Sequence, residues 1–148
     1  MRFALPHDQS EFEIPDAWWE ISGAARFVPS EQAFAALPKV VTWGDELTSQ
    51  SGVTVQSRSC PTQLVALLYV APPKRAPGVP WFDEDRMIQV LQAMCSGIAL
   101  PPIEVWRGVP GEARLSPRDG FHRFYASVAL GFPMLPVAVF KYAAPQNA

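Results

Sequence analysis

Cysteine is scarce in this chain. Cys60 and Cys95 are the two among 148 residues, and they lack the paired spacing that a thiolate metal site requires. A disulfide-built scaffold is excluded, and a reducing, cytoplasmic setting is the expectation. Long apolar runs are missing too. The longest, LVALLYVA at residues 64–71, falls far short of the roughly 20 residues that a helical bilayer span takes. The opening MRFALPHDQSEFEI holds no apolar stretch of the signal-peptide kind. Neither sign of charge dominates: 12 Lys and Arg against 14 Asp and Glu leave a net charge of −2. With no run of basic residues, general affinity for nucleic acid or anionic membranes is not expected. No internal repeat and no linker between domains is visible.

What is present is a greasy, aromatic chain. Apolar residues make up 49%, with five Trp and nine Phe, which excludes disorder and supplies a core for one domain. The 16 prolines are spread as punctuation between elements. The tripeptide FEI is a short extended segment. PDAWWEISG follows as a short helix, with Pro15 in a first-turn position and Gly23 as a stop. Adjacent Trp18 and Trp19 cannot share a helix face: Trp18 is placed inward, and Trp19 packs in the core or covers a second surface or partner.

PKVVTWG and GVTVQS are short strands. QLVALLYVAPP is a strand apolar enough to be buried on both faces, ending at Pro72 and Pro73. APPKRAPGVP is a proline-rich loop carrying Lys74 and Arg75, either as solvated charges or as a lid presenting a cation to an anion. DEDRMIQVLQAMCSG, residues 83–97, has the clearest helical period, with Met87, Ile88, Leu91, Met94 and Cys95 on one face. Its acidic start suits the helix dipole, and Cys95 is read as a buried, inert packing residue. In PPIEVWRG, Ile103 and Val105 alternate with Glu104 and Trp106, a half-buried strand with Glu104 toward solvent. RLSP is a short returning strand and LPVAVFKY a closing one. Arg107, Arg114 and Arg118 add positive field or are simply surface, and His7 is read as exposed. The expected fold is α+β: one compact domain with a small mixed sheet and packed helices.

The informative stretch is RDGFHRFYASVALGF, residues 118–132. Apolar positions 121, 124, 125, 128 and 132 define a helix. Asp119 is a natural N-cap. His122 and Arg123 in the first turn oppose the helix dipole, a placement that becomes favourable if an anion sits there. Gly120 then permits close approach, and His122 and Arg123 converge on the anion with the free N–H groups.

The ordered set PPIEVW, LSPRDGFHRFYASVALGF and LPVAVF, with the helix and basic loop before it, resembles the ParB/sulfiredoxin superfamily over residues 65–141. Residues 1–64 then form an accessory segment packed on the core, and 142–148 a frayed tail. The resemblance implies a nucleotide, ATP, ADP or CTP with Mg2+, bound at this helix start by Gly120, Phe121, His122 and Arg123, and less securely by Arg75. Phe121 stands where sulfiredoxins carry their nucleophilic cysteine, so sulfinic-acid reduction is not expected. No helix-turn-helix follows the block, so centromere binding in the ParB style is not expected either. The DGxHR form is most similar to the free serine kinase branch and to small ParB-like proteins. In that branch the acid before the glycine sits at the reacting end, which makes Asp119 a candidate base or Mg2+ ligand and His122 its catalytic companion. No second catalytic carboxylate is evident. The functional expectation is a nucleotide-dependent phosphotransferase or NTPase. The alternatives are a non-catalytic regulatory module of the antitoxin or immunity kind, working through a protein partner or a homodimer, and a ParB-like nuclease.

Overall fold

The computed structural model describes residues 1–27, 40–42, 46–48, 54–56, 59–98 and 100–142, with side chains from residue 62 onward and in the first 27. The expected frayed tail lies outside these residues except for Tyr142, as does the side chain of Cys60. The fold is α+β. A five-stranded sheet runs in the order β3 (Val40–Thr42), β6 (Ser59–Ala66), β9 (Met134–Lys141), β7 (Ile103–Arg107), β8 (Ser116–Asp119). It is mixed: β7 pairs with β9 in parallel, and the other neighbours are antiparallel. Two small hairpin sheets accompany it, β1 (Arg2–Ala4) with β2 (Glu11–Glu13), and β4 (Glu46–Thr48) with β5 (Thr54–Gln56). Position 64 lies inside β6, so the main sheet crosses the boundary drawn at residues 64/65.

Three helices pack together: α1 (Asp16–Ile21), α2 (Glu84–Cys95) and α3 (Phe121–Leu130). Pro15 and Gly23 flank α1 as expected. Within it, however, Trp19 is the core residue, against Phe3, while Trp18 is only partly buried. In α2 the Asp83 carboxylate accepts the Arg86 N–H, and Glu84 and Asp85 fill the first turn. These placements satisfy an orphan donor and complement the dipole. The buried face of α2 is Met87, Val90, Leu91 and Ala93, rotated from the expected one, so Ile88, Met94 and Cys95 sit at its margin. Cys95 is half-buried rather than buried, and desolvation pushes its thiol pKa up, which keeps it protonated and unreactive.

The sheet's helix-side face supplies Ile103, Val105, Leu135 and Val137 to a core shared with Met87, Leu91 and Phe124. Two strand expectations are corrected. The segment after residue 62 is not buried on both faces: Leu64, Leu68 and Tyr69 are exposed, and β6 gives way at Leu67 to a single 3-10 turn. Strand β7 is not half-buried: Ile103 through Trp106 are all buried, because its second face carries Trp106 against Phe140 and Tyr142. His7 is not exposed either. Its Nε2 donates to the carbonyl of Val70 at 2.8 Å, beside the Phe124 ring.

Candidate functional site

Strand β8 is the sheet edge, and it ends directly at α3. The returning strand includes Arg118 and Asp119, which the sequence pattern assigns to the helix opening. Gly120 joins the two elements with φ +112, a left-handed conformation that glycine adopts cheaply. Gly120 is therefore the N-cap position, and Asp119 is not. The Asp119 carboxylate instead accepts the N–H of Gly120 at 2.9 Å, and its other oxygen lies 3.7 Å from Arg123. No side chain caps α3. Gly120 is also buried against the sheet: a Cβ there would lie 3.1–3.3 Å from three atoms of Ile103, one of them backbone. The close approach that demands glycine is to Ile103.

His122 and Arg123 are both engaged within the protein. His122 is buried, and its Nε2 accepts the backbone N–H of Asp83 at 2.9 Å. Burial pushes its pKa down to about 4, and the charges of Arg75 and Arg86 push the same way. The imidazole is thus neutral near pH 7. The conflict with the helix dipole that marks it in the sequence does not exist. Arg123 reaches back to donate to the carbonyls of Pro101 and Pro102, the latter at 2.8 Å, tying α3 to the chain entering β7.

An open cleft of about 1370 Å3 lies beside this junction. It is lined by Gly120, Phe121 and Tyr125 of α3, Arg118 and Asp119 of β8, Glu104 and Trp106 of β7, and Lys74, Arg75 and Trp81 of the proline-rich loop, with Arg114 nearby. Of the residues singled out in the sequence, Arg75, Asp119, Gly120 and Phe121 come together here. His122 and Arg123 are not among its described lining residues. Arg75 lies over the Phe121 ring, 3.8 Å from its centroid, a cation–π contact that fixes a flexible side chain. The loop carrying it is held to α3 at both ends. The Tyr125 hydroxyl donates to the Pro73 carbonyl at 2.7 Å, and His122 takes the Asp83 N–H. Burial and the Asp8 charge push Tyr125 up to about 12, so the phenol stays a donor.

Glu104, which strand alternation directs to solvent, is the unexpected member of the site. It is 4% exposed, pairs across the sheet with Asp119, and forms an ion pair with Arg118. Burial and the Asp119 charge push its pKa up to about 7, outweighing the opposing influence of Arg118 and Arg123. Two carboxylates therefore face each other across β7 and β8. The alternation argument fails because it assumes one wet face. The signal that would have found Glu104 is Arg118 on the neighbouring strand, whose guanidinium lies 5.2 Å from the Trp106 and Phe140 ring centroids. Among the described residues no group of three or more His, Cys, Asp or Glu is placed to hold a metal ion. No helix among the described residues is long and apolar enough to cross a membrane.

No protein-family model matches the chain, and comparison with curated proteins finds no match.

The His122 contact carries its own expected result. His122→Phe removes the acceptor for the Asp83 N–H and costs about 1–2 kcal/mol. A histidine whose folded pKa lies below its unfolded value contributes stability that is complete above pH 6.5 and lost as pH falls toward 4. The variant lacks that contribution, so the stability gap between wild type and variant, read from chemical denaturation, should widen as pH rises from 4 to 6.5. An unchanged pH dependence would show that His122 is not held neutral.

Proposed function

We propose that the chain is a nucleotide-binding ParB-like protein that takes the ligand's phosphates in this cleft. The observation that carries the reading is the uncapped start of α3, opening where Arg75 and Arg118 line the same cleft. Unsatisfied N–H groups and the helix dipole favour an anion there, and guanidinium groups pair with phosphate oxygens in the preferred fork geometry. Lys74 and Arg114 extend the positive lining. The roles implied by the resemblance are redistributed. Gly120 and Phe121 offer backbone and ring, Arg75 offers charge, and His122 and Arg123 hold the scaffold.

A phosphotransferase or NTPase needs a group that moves a proton, and Glu104 supplies it. It lines the cleft opposite Asp119, and a pKa near 7 lets it take and return a proton at neutral pH. Glu104 is the base, Asp119 orients the attacking hydroxyl or water, and Arg118 stabilises the developing charge. Any Mg2+ arrives on the nucleotide's own phosphates. The test is phosphate release or transfer from Mg2+-bound ATP and CTP. The rate should rise through pH 7, and Glu104→Gln should lower it about a hundredfold or more. Activity unaffected by Glu104→Gln would remove Glu104 from the chemistry.

A second reading keeps the ligand and drops the reaction. It draws on the engagement of His122 and Arg123 within the protein, which leaves fewer groups for catalysis. Saturable nucleotide binding with no turnover would establish this regulatory reading.

A further inference from the structure

The proline-rich loop brings an aromatic side chain to the cleft beside its cations. Trp81 is 39% exposed, yet its ring is braced by two neighbours. It meets Phe121 and Tyr125 edge to face, with centroids 5.3 and 5.7 Å away and interplanar angles of 71° and 67°. Its carbonyl accepts from Arg75 Nε at 3.4 Å, and the Arg75 guanidinium lies on the Phe121 ring. One short loop thus presents an open indole and a cation in fixed relation, and α3 holds both. An exposed tryptophan costs water contact, and a solvated loop has no need for one fixed by two aromatic edges. Arg118 lines the same cleft. A ligand that matches this surface has a planar ring at one end and an anionic group at the other.

We propose that Trp81 is a stacking platform for the nucleobase, so that the cleft selects nucleotides over bare phosphates. The inference rests on the nucleotide reading above and assigns the part of the ligand that the phosphate groups do not explain. Stacking on an aromatic side chain tolerates any base, because every base presents a π face. Discrimination between ADP and CDP is therefore expected to be weak, and discrimination between ADP and pyrophosphate strong.

The experiment is calorimetric titration of the full chain with ADP, CDP and pyrophosphate, each with Mg2+, using wild type, Trp81→Ala and Trp81→Phe. Wild type should bind ADP and CDP about tenfold or more tightly than pyrophosphate. Trp81→Ala should lose about tenfold for both nucleotides, with pyrophosphate binding unchanged, and Trp81→Phe should recover most of the loss. Unchanged pyrophosphate affinity also shows that the variant keeps its fold. Equal affinity for ADP and pyrophosphate in wild type, or nucleotide affinity indifferent to Trp81→Ala, would overturn the platform while leaving the phosphate site standing. Failure of all three ligands to bind wild type would remove the nucleotide reading itself, and the platform with it.

Discussion

Gly120→Val should destabilise the protein by about 3 kcal/mol or more, lowering the melting temperature by roughly 10 °C. The sequence motif suggests a different result, lost ligand with the fold intact, because a glycine at a helix start is the natural place for a phosphate to approach the backbone. The geometry points inward instead. At φ +112 any side chain is strained, and the new Cβ meets Ile103 at 3.1–3.3 Å. A beta-branched valine adds two methyl groups to that crowding. Gly120→Ala should cost less but still measurably, and combining it with Ile103→Ala should recover only part of the loss. Trimming the Ile103 side chain leaves its backbone in the way, and it leaves the strain at residue 120 untouched. Thermal and chemical denaturation check this directly, and wild-type stability in Gly120→Val would show that the β8–α3 junction is built differently.

Arg118→Met should be destabilising in a manner that depends strongly on pH. Methionine retains apolar contact with Trp106 and Phe140, but Glu104 loses its ion-pair partner in a buried position. Below pH 5 Glu104 is protonated in the folded wild type and variant alike, and the cost should be about 1 kcal/mol. At pH 9 the variant must either bury an unpaired carboxylate or hold a proton against solvent, and the cost should rise to about 3 kcal/mol or more. The sign follows from linkage. A carboxyl whose folded pKa is raised from 4.5 to about 7 binds more protons folded than unfolded, so its contribution is complete below pH 4.5 and declines as pH rises toward 7. Removing Arg118 raises that pKa further and extends the decline to higher pH. A cost independent of pH between 5 and 9 would show that Glu104 and Arg118 are not coupled.

His122 and Glu104 act on the pH profile in opposite senses. Between pH 4.5 and 6.5 the histidine's contribution rises while the glutamate's falls, and the two nearly cancel. Each slope is visible only when the other is removed, so His122→Phe exposes the glutamate's decline.

Local signals are legible in the sequence and distant ones are not. The apolar period and acidic first turn of residues 83–97 place α2, because both are carried by the helix itself. The glycines bracketing Phe121–Leu130 place α3, with Gly131 at φ +86 closing it. The cleft residues Arg75, Asp119, Gly120 and Phe121 are legible too, since they flank those elements. His122 is misread because its partner, Asp83, lies 39 residues away. Burial, joined by the charges of Arg75 and Arg86, makes it neutral, and burial has no local signature. Glu104 is misread for the same reason. Whether the second face of a strand is wet depends on Trp106, Phe140 and Arg118 arriving from three strands. Trp81 escapes notice because a proline-rich loop gives no period by which to place a side chain.

The proposed nucleotide site sits in the cleft beside α3, at the helix start and Arg75. Calorimetric titration of the purified protein with Mg2+-bound ATP, ADP, CTP and GTP tests it most directly, with Arg75→Ala alongside. Saturable binding of at least one nucleotide is expected, weakened about tenfold in Arg75→Ala by loss of a charge-assisted contact. Absence of saturable binding by any of the four, in protein with intact stability, would contradict it.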